Sequence, residues 1–594
     1  MYACLMIIII LLNLLLSSLF TKGNIVLDLQ NQATFIHKMV TLQPHSAIQL
    51  QAINVNSLTS FILFQSHCQK NNATMMYHKA WSYNSSVHGT SIGLVSYLQN
   101  SDTVSSVWVT NSNDKDLSCF VAAVPHGSKV HELKPCGPSN PSVIHAITFC
   151  LYIAVADPVP GGCNVEFNVP TSPFLHLKFN PIQTVVEYQS ASIGYDRLSS
   201  VQMSCDISMY YISYEFYVIF LPEGHYELTE FSSGLTTAMS WNSLNDKARK
   251  IKPYVTTPAK RLLFSSFPGQ GVIYNIVSKY KSKINNSDIF YHSSYVPYVT
   301  YGCSFSDEVD GCYSINRTFT YVFCICAAIV GMIMCFAGHH FFKLEMFVAG
   351  FLAAALLTFI LLIKYTSWTH TDREIITMVC GVIGGILWLS LWWFLGIPVI
   401  SSLLVGLELG YLASSIIFFT PAGDVELLRN NFNYWMTFAI GVIFVPVILI
   451  YFTKLLSIIF CAVLGSFGLI VAIDRYIRTT LSYIILNVVK RSIYGSLDKV
   501  NQVLPFQRND IILSVAWVIL SIVGIVVQHI ITKDKPPFPP APYQIWQRNK
   551  ESRLAIRRRM LRRLRSISSA NEEIDPLVDP RRTLEPGRSY GSVD

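Results

Sequence analysis

Residues 319–363 read "FTYVFCICAAIVGMIMCFAGHHFFKLEMFVAGFLAAALLTFILLI", two apolar runs of near-spanning length separated by a short polar turn. A run of about 20 apolar residues crosses a hydrocarbon core of ~30 Å as a helix. The pattern then repeats down the chain. Apolar segments at 319–337, 344–363, 375–396, 398–419, 435–453, 455–473 and 511–531 predict an α-helical seven-span membrane bundle over 319–531. Composition agrees. The 594 residues are 51% hydrophobic and 13% charged, against roughly 25% charged in soluble domains.

On the N-terminal side the chemistry changes. "MYACLMIIIILLNLLLSSLF" is one apolar run followed by small and polar residues, which reads as a secretory signal peptide over 1–22. Asn-X-Ser/Thr sequons stand at Asn72, Asn84, Asn285 and Asn316, and none follows Asn316. Glycan acceptors confined ahead of the first span put that part of the chain outside the cytoplasm. The same part holds eight cysteines after the signal: Cys68, Cys119, Cys136, Cys150, Cys163, Cys205, Cys303 and Cys312. An even count in a glycosylated segment predicts disulfides. Cys303 and Cys312 close a short loop, "CSFSDEVDGC", and the other six leave ~15 connectivities open.

Short β-branched or alternating runs ("ATFIHKMVTL", "TSFILFQSH", "SSVWVTN", "TVVEYQS", "FYVIFLP", "QGVIYNIVSKY") recur between turn-forming clusters. They predict a β-rich ectodomain of two β-sandwich units, 24–156 and 157–318, divided at "ADPVPGGC". Its histidines fall at no metal-ligand spacing, and no Cys-x-x-Cys, Gly-x-Ser-x-Gly or paired acidic cluster occurs. The expectation is binding or support rather than catalysis, with no metal, no cofactor and no nucleic acid.

Charge sets the direction of the spans. Residues 1–318 carry 19 Lys/Arg and 19 Asp/Glu, residues 319–531 carry 11 and 9, and the tail 532–594 carries 14 and 8. A basic tail fits a cytoplasmic C-terminus and a lumenal N-terminus. The connection 474–510 runs against this trend, with six basic and three acidic residues on the outer side. Its middle, "LSYIILNVVKRSIY" (481–494), is expected to lie in the interface or dip into the membrane. Asp474-Arg475-Tyr476 spells a triplet of rhodopsin-like receptors, but there it ends the third span on the inner side. Here it ends the sixth, outside, and no Asn-Pro-x-x-Tyr follows in the last span. The triplet is therefore read as coincidence, with Arg475 reaching for the interface.

Within the spans, Glu408 lies near the middle of the fourth, inside Gly406-x-x-x-Gly410. A carboxylate there is functional or paired by default. The alternative is a protonated Glu at a tight helix contact, which is preferred because no second intramembrane acid or base is evident. His339 and His340 sit in the first inner connection, too isolated for the zinc cluster of a membrane hydrolase. The tail reads as largely disordered, beginning with the Pro-rich "DKPPFPPAPYQIWQ" and its Pro537-x-x-Pro540 pattern. "RLAIRRRMLRRLRS" (553–566) places Ile556, Met560, Leu561 and Leu564 on one face of a basic amphipathic helix suited to the anionic inner leaflet. "EEIDPLVDP" contains a dileucine-like Glu573-x-x-x-Leu577-Val578.

Seven blocks in one order carry a resemblance: "DPVPGGCNVEF" (157–167), "FPGQGVIYN" (267–275), "YGCSF" (301–305) with Gly311-Cys312, "FFTPAGD" (418–424), "LSYIILNVVKR" (481–491), "PFQRND" (505–510) and "PPFPPAPY" (536–543). On these the chain resembles the transmembrane 7 superfamily member 3 family from about Asn54 into the Pro-rich tail. The resemblance implies a signal peptide, a glycosylated ectodomain, seven spans, residence in the cell membrane and secretory pathway, and no known enzymatic activity. It also implies a role in cell survival, in the response to unfolded protein and in insulin secretion. Cys163 and Cys205 stand as further disulfide candidates beside Cys303 and Cys312, whereas Cys68, Cys119, Cys136 and Cys150 are additional to the family pattern. Glu408 is particular to this chain. Expected partners are the bilayer, including the inner leaflet at 553–566, and a protein bound by the ectodomain. The alternatives are an orphan seven-span receptor and a transporter working through Glu408.

Overall fold

The computed structural model describes residues 24–572 apart from 31–33, 80–84, 100, 128–154, 166–168, 181, 196–203, 252–259, 285–286, 306–311, 313–317, 495–498, 535, 537 and 540–541. The signal segment, Asn84, Asn285, Asn316, Cys136, Cys150, the Pro537-x-x-Pro540 pattern and the dileucine-like motif lie outside the described residues.

Nine strands open the chain: β1 (Asn24–Asp28), β2 (Ile36–Leu42), β3 (Ala47–Ile53), β4 (Thr59–Cys68), β5 (Ala73–Met76), β6 (Ser86–Gly89), β7 (Ser91–Tyr97), β8 (Ser105–Thr110) and β9 (Leu117–Gly127). They form two sheets, β1-β3-β8-β5-β6 and β2-β9-β4-β7, packed through one apolar core. The two-residue period of a strand explains what β9 does. Cys119, Val121 and Ala123 enter the sandwich core, while Phe120 and Ala122 between them enter a second core with Leu235 and Ile273. Cys68 and Cys119 face each other across β4 and β9 and are disulfide-bonded.

A second β-rich domain follows: β10 (Val155–Cys163), β11 (His176–Phe179), β12 (Gln183–Glu187), β13 (Ser190–Tyr195), β14 (Ile212–Phe220), β15 (Arg249–Ile251), β16 (Arg261–Ser265), β17 (Val272–Ile284), β18 (Ser287–Ser294) and β19 (Tyr298–Thr300). Its sheets run β11-β12-β16 and β15-β14-β17-β18, with β19 also on β17 and β10 paired to β13. "ADPVPGGC", the expected boundary between the units, lies in a strand. Pro158 and Pro160 are tolerated because β10 is a bulged partner of β13 alone. Gly161 has φ 64°, and a Cβ there would lie 1.9 Å from the Ser172 carbonyl oxygen. Three helices also interrupt this domain: α1 (Cys205–Tyr211), α2 (Leu228–Met239) and α3 (Trp241–Lys247). In α2 the buried Phe231, Leu235, Ala238 and Met239 keep a helical spacing that a purely β reading passes over.

The remainder is helical: α4 (Thr318–Ala337), α5 (Phe342–Tyr365), α6 (His370–Leu395), α7 (Pro398–Phe419), α8 (Glu426–Arg429), α9 (Asn431–Leu449), α10 (Thr453–Ile477), α11 (Tyr483–Ile493), α12 (Arg508–Thr532) and α13 (Pro542–Glu572). Among the described residues, five helical stretches are long and apolar enough to cross a membrane, and a sixth, Tyr321–Ala337, is shorter. Two of the seven expected segments, 435–453 and 455–473, run together in one 47-residue stretch, Asn431–Ile477. That is more than twice the length one crossing needs. Leu357, Ile440 and Ile522 stand exposed on these helices, as lipid-facing side chains do.

Contacts divide the chain into two compact units. In one, the β-domains join parts of the helical region; there Gly465 approaches the backbone of Gly331 and Cys335, and Gly410 that of Val442. In the other, α5 and α6 meet along Gly350, Gly381, Gly384 and Gly385, where an added Cβ on Gly384 would lie 2.2 Å from that of Ala354. Small residues let helix backbones approach closely where lipid supplies no hydrophobic drive.

The expectation of a largely disordered tail fails for residues 542–572, which form one 31-residue helix. The stretch contains no Gly and no Pro beyond Pro542 at its start, and it is rich in strong helix formers. Phe538 from the Pro-rich segment packs edge-on against Phe342, with centroids 5.4 Å apart.

The Cys68–Cys119 bond closes a loop of 51 residues. Replacing both cysteines with alanine is expected to lower the stability of the first β-domain by about 2–4 kcal/mol. Chemical unfolding of the purified full chain checks this, with the first domain melting at lower denaturant.

Candidate functional site

The connection between α10 and α12 is built on two carboxylates. Arg478, just past α10, sits in the left-handed region at φ 62° and turns the chain. Asp474, in the last turn of α10, holds that turn: its carboxylate accepts from the Thr479 hydroxyl and from the Ser482 amide, the latter at 3.2 Å. Asp510 does the same for the other end. Its Oδ2 accepts from the Gln507 amide at 3.0 Å, a capping contact at the start of α12. Its Oδ1 accepts from the Thr480 amide at 2.7 Å and the Thr480 hydroxyl at 2.9 Å. Asp474 is 3% exposed and Asp510 0%.

The connection so fixed docks on the second β-domain. Asn501 lengthens the edge of β16: its amide donates to Leu263 O at 2.8 Å, and the Ser265 amide donates to Asn501 O at 3.2 Å. Val503 enters the core of that domain. Gln507 Nε2 donates to Leu221 O at 2.8 Å, and Lys490 Nζ to Ser266 O at 2.9 Å. Tyr483 meets Phe267 edge-on at 5.0 Å. Burial lowers the Lys490 ammonium to about 8. Arg491 donates to Leu428 O at 3.1 Å and Arg429 O at 2.8 Å, with its guanidinium 3.7 Å over the Tyr434 ring. The middle of the connection, expected in the interface or dipping into the membrane, is an 11-residue helix held by these protein contacts. At ~1.5 Å per residue it is too short to cross.

The helices hold polar groups of their own. The Glu408 carboxyl is buried beside the Ala353 backbone, and neither oxygen meets a described donor in hydrogen-bond geometry. Gly406 brings α7 against Pro446 of α9, where an added Cβ would lie 2.7 Å from the proline Cβ. A second acid of the helical region, Glu345, is fully buried in the first turn of α5. Ser457 donates to Glu345 Oε1 at 2.5 Å, and His339 Nδ1 lies 2.7 Å from the same hydroxyl. The His339 amide donates to Gln528 at 3.0 Å. His339 thus has hydrogen-bond partners on two other helices. The partners come from helices more than 100 residues apart, which no local spacing announces.

Of the four sequons only Asn72 is described; its residue is exposed and its carbonyl accepts from Asn113. Cys163 is bonded to Cys205 and Cys303 to Cys312. Among the described residues no group of His, Cys, Asp or Glu is arranged to hold a metal ion. A cleft of about 590 Å³ is lined by residues of both β-domains, including Asn54, His126, Asp157, Trp241 and His292. His126 Nδ1 lies 3.6 Å from Asp157 there.

Three family models match the chain. Residues 28–126 fit the TM7SF3-like N-terminal immunoglobulin-like domain, residues 158–306 the TM7SF3-like second immunoglobulin-like domain, and residues 324–529 the TM7S3/TM198-like domain. Among curated proteins, the transmembrane 7 superfamily member 3 of Rattus norvegicus is 34% identical over 509 residues, covering 84% of each chain. That of Mus musculus is 33% identical, covering 91% of this chain and 87% of the relative. That of Homo sapiens is 32% identical, covering 84% and 83%. Among solved structures, a β-glucuronidase from Ruminococcus gnavus aligns over 44% of this chain and 36% of its own at 8% identity, with a TM-score of 0.12, too low to indicate a shared fold.

Arg491→Ala removes two charge-assisted hydrogen bonds and the stacking on Tyr434. It is expected to cost about 2–4 kcal/mol of local stability. Limited proteolysis of the full chain checks this, with cleavage inside 478–506 appearing at protease levels that leave the wild type intact.

Proposed function

The chain belongs to the transmembrane 7 superfamily member 3 family, and from that premise we propose that it restrains programmed cell death and takes part in the cellular response to unfolded protein and in insulin secretion. The observation that carries this reading is likeness to the relatives across both the immunoglobulin-like region and the helical region, rather than in one domain. The chain is a multi-pass protein of the cell membrane and secretory pathway, with seven spans, a glycosylated N-terminal region outside and the C-terminus in the cytoplasm. Support for seven comes from the 47-residue stretch, which is long enough for two crossings. The ectodomain acts by binding a protein partner, and nothing in this reading requires catalysis.

The helix Pro542–Glu572 lies on the anionic inner leaflet through its arginines at 553–566, each contributing about 1 kcal/mol near the surface. A second reading, transport through Glu408, is favoured by one observation, its buried carboxyl without a described donor.

Cells deprived of the chain are expected to die sooner when protein glycosylation is inhibited, and the full chain should restore survival. Equal survival with and without it would sink the regulatory reading. Glu408→Gln is expected to rescue as well as the wild type; a variant that fails while reaching the membrane normally would favour transport. Single engineered sequons, in a chain lacking Asn72, Asn84, Asn285 and Asn316, are expected to be glycosylated within 495–498 and not within 573–594.

A further inference from the structure

Among the described carboxylates of the docked junction, Glu223 is the least well served by donors. It follows Leu221, whose carbonyl accepts from Gln507 Nε2. It precedes Gly224, where an added Cβ would lie 3.5 Å from the Arg478 side chain. The junction thus brings it against Asp510 and Asn509 of α12 and close to Asp474 of α10. Its residue is 5% exposed; the Asn509 amide is the donor group beside it, and it stands outside full hydrogen-bond geometry with either carboxyl oxygen. Asp474 and Asp510, by contrast, are served by the hydroxyls and amides of Thr479, Thr480, Ser482 and Gln507.

The neighbouring cations do not answer it. The Arg478 guanidinium stands over the Tyr226 ring, 5.2 Å from its centroid. Arg475 lies toward Asp474, Cys324 and Tyr321. Lys490 is engaged with Ser266 O and Tyr483. A buried ionised carboxylate facing a second one is strongly unfavourable, and the usual resolution is one proton held between the two. A proton on Glu223 supplies a donor between the two carboxyls.

We propose that Glu223 and Asp510 form a proton-binding carboxyl pair, and that the bound proton fastens the second β-domain to the connection between α10 and α12. Burial first, and the hydrogen bond and charge of Asp510 next, raise Glu223 far above the usual carboxylate range. The sign follows from linkage. The docked state holds a proton that the undocked state releases at ordinary carboxylate pH. Docking is therefore complete in strength below the free carboxyl's pKa, near ~4.5. It weakens steadily as pH rises toward the raised value. An acidifying compartment would tighten the junction and a neutral or alkaline one would loosen it. This inference does not depend on the survival role.

The test uses the full chain in lipid nanodiscs, with thermal unfolding followed from pH 5 to pH 9 for the wild type and for Glu223→Gln, a neutral isostere of the protonated acid. The wild type is expected to lose several degrees of midpoint across that range, and the variant to be flat. Infrared difference spectra at pH 7 should show a protonated carboxyl band in the wild type that Glu223→Gln removes. Parallel pH profiles, or no such band, would overturn the proposal. So would a destabilisation of the wild type alone by EDTA, which would assign the site to a metal ion instead. Should Glu223→Gln not reach the folded state, Asp510→Asn carries the same comparison; its single amide oxygen keeps the Thr480 contacts of Oδ1 and gives up the Gln507 contact of Oδ2.

Discussion

A carboxylate buried at each end of the 474–510 connection is the constraint on which the junction depends. A segment leaving one helix and entering the next exposes amides and hydroxyls that must be satisfied once the segment is covered by protein. Asp474 and Asp510 satisfy five of them. With its ends held, the connection is ordered enough for Asn501 to pair with a strand edge and for Val503 to enter a β-domain core. The immunoglobulin-like region is consequently part of one compact unit with these helices rather than a tethered appendage.

A similar economy governs the helical region. Buried acids survive there in two ways. Glu345 is linked through Ser457 to His339, so each polar group answers another. Glu408 lies beside the Ala353 backbone of α5, whereas Gly406 makes a separate close contact with Pro446 of α9. The first is a connected polar network, in which the second Glu345 oxygen lies 3.8 Å from His339 Nδ1 without a hydrogen bond. The second is the more costly arrangement and stands near no described donor.

Much of the architecture was legible in residue order. Alternating β-branched runs marked β2, β4, β8, β12, β14 and β17, because a strand half-buried in a sandwich repeats every two residues. Apolar runs marked the long helices, because lipid admits no unpaired backbone. The candidate site was far less legible. Asp474 drew notice for a chance triplet, and Glu223 and Asp510 drew none, since they are separated by 287 positions and no periodicity links them. Glu345 stood at the edge of a predicted span and was read past for the same reason. Helices α1 to α3 were hidden by the β pattern around them.

Sequence by itself determined the division into an apolar N-terminal segment, a β-rich cysteine-bearing region, an apolar helical region and a basic tail. Each is a matter of composition and short-range period, which the chain carries locally. Tertiary structure alone decided which cysteines meet, which acids are buried together and where the 474–510 connection rests. Those outcomes depend on the low dielectric and the hydrogen-bond supply that exist only once distant elements have closed around a side chain. The same carboxyl group is an unremarked surface charge in one fold and a proton site in another.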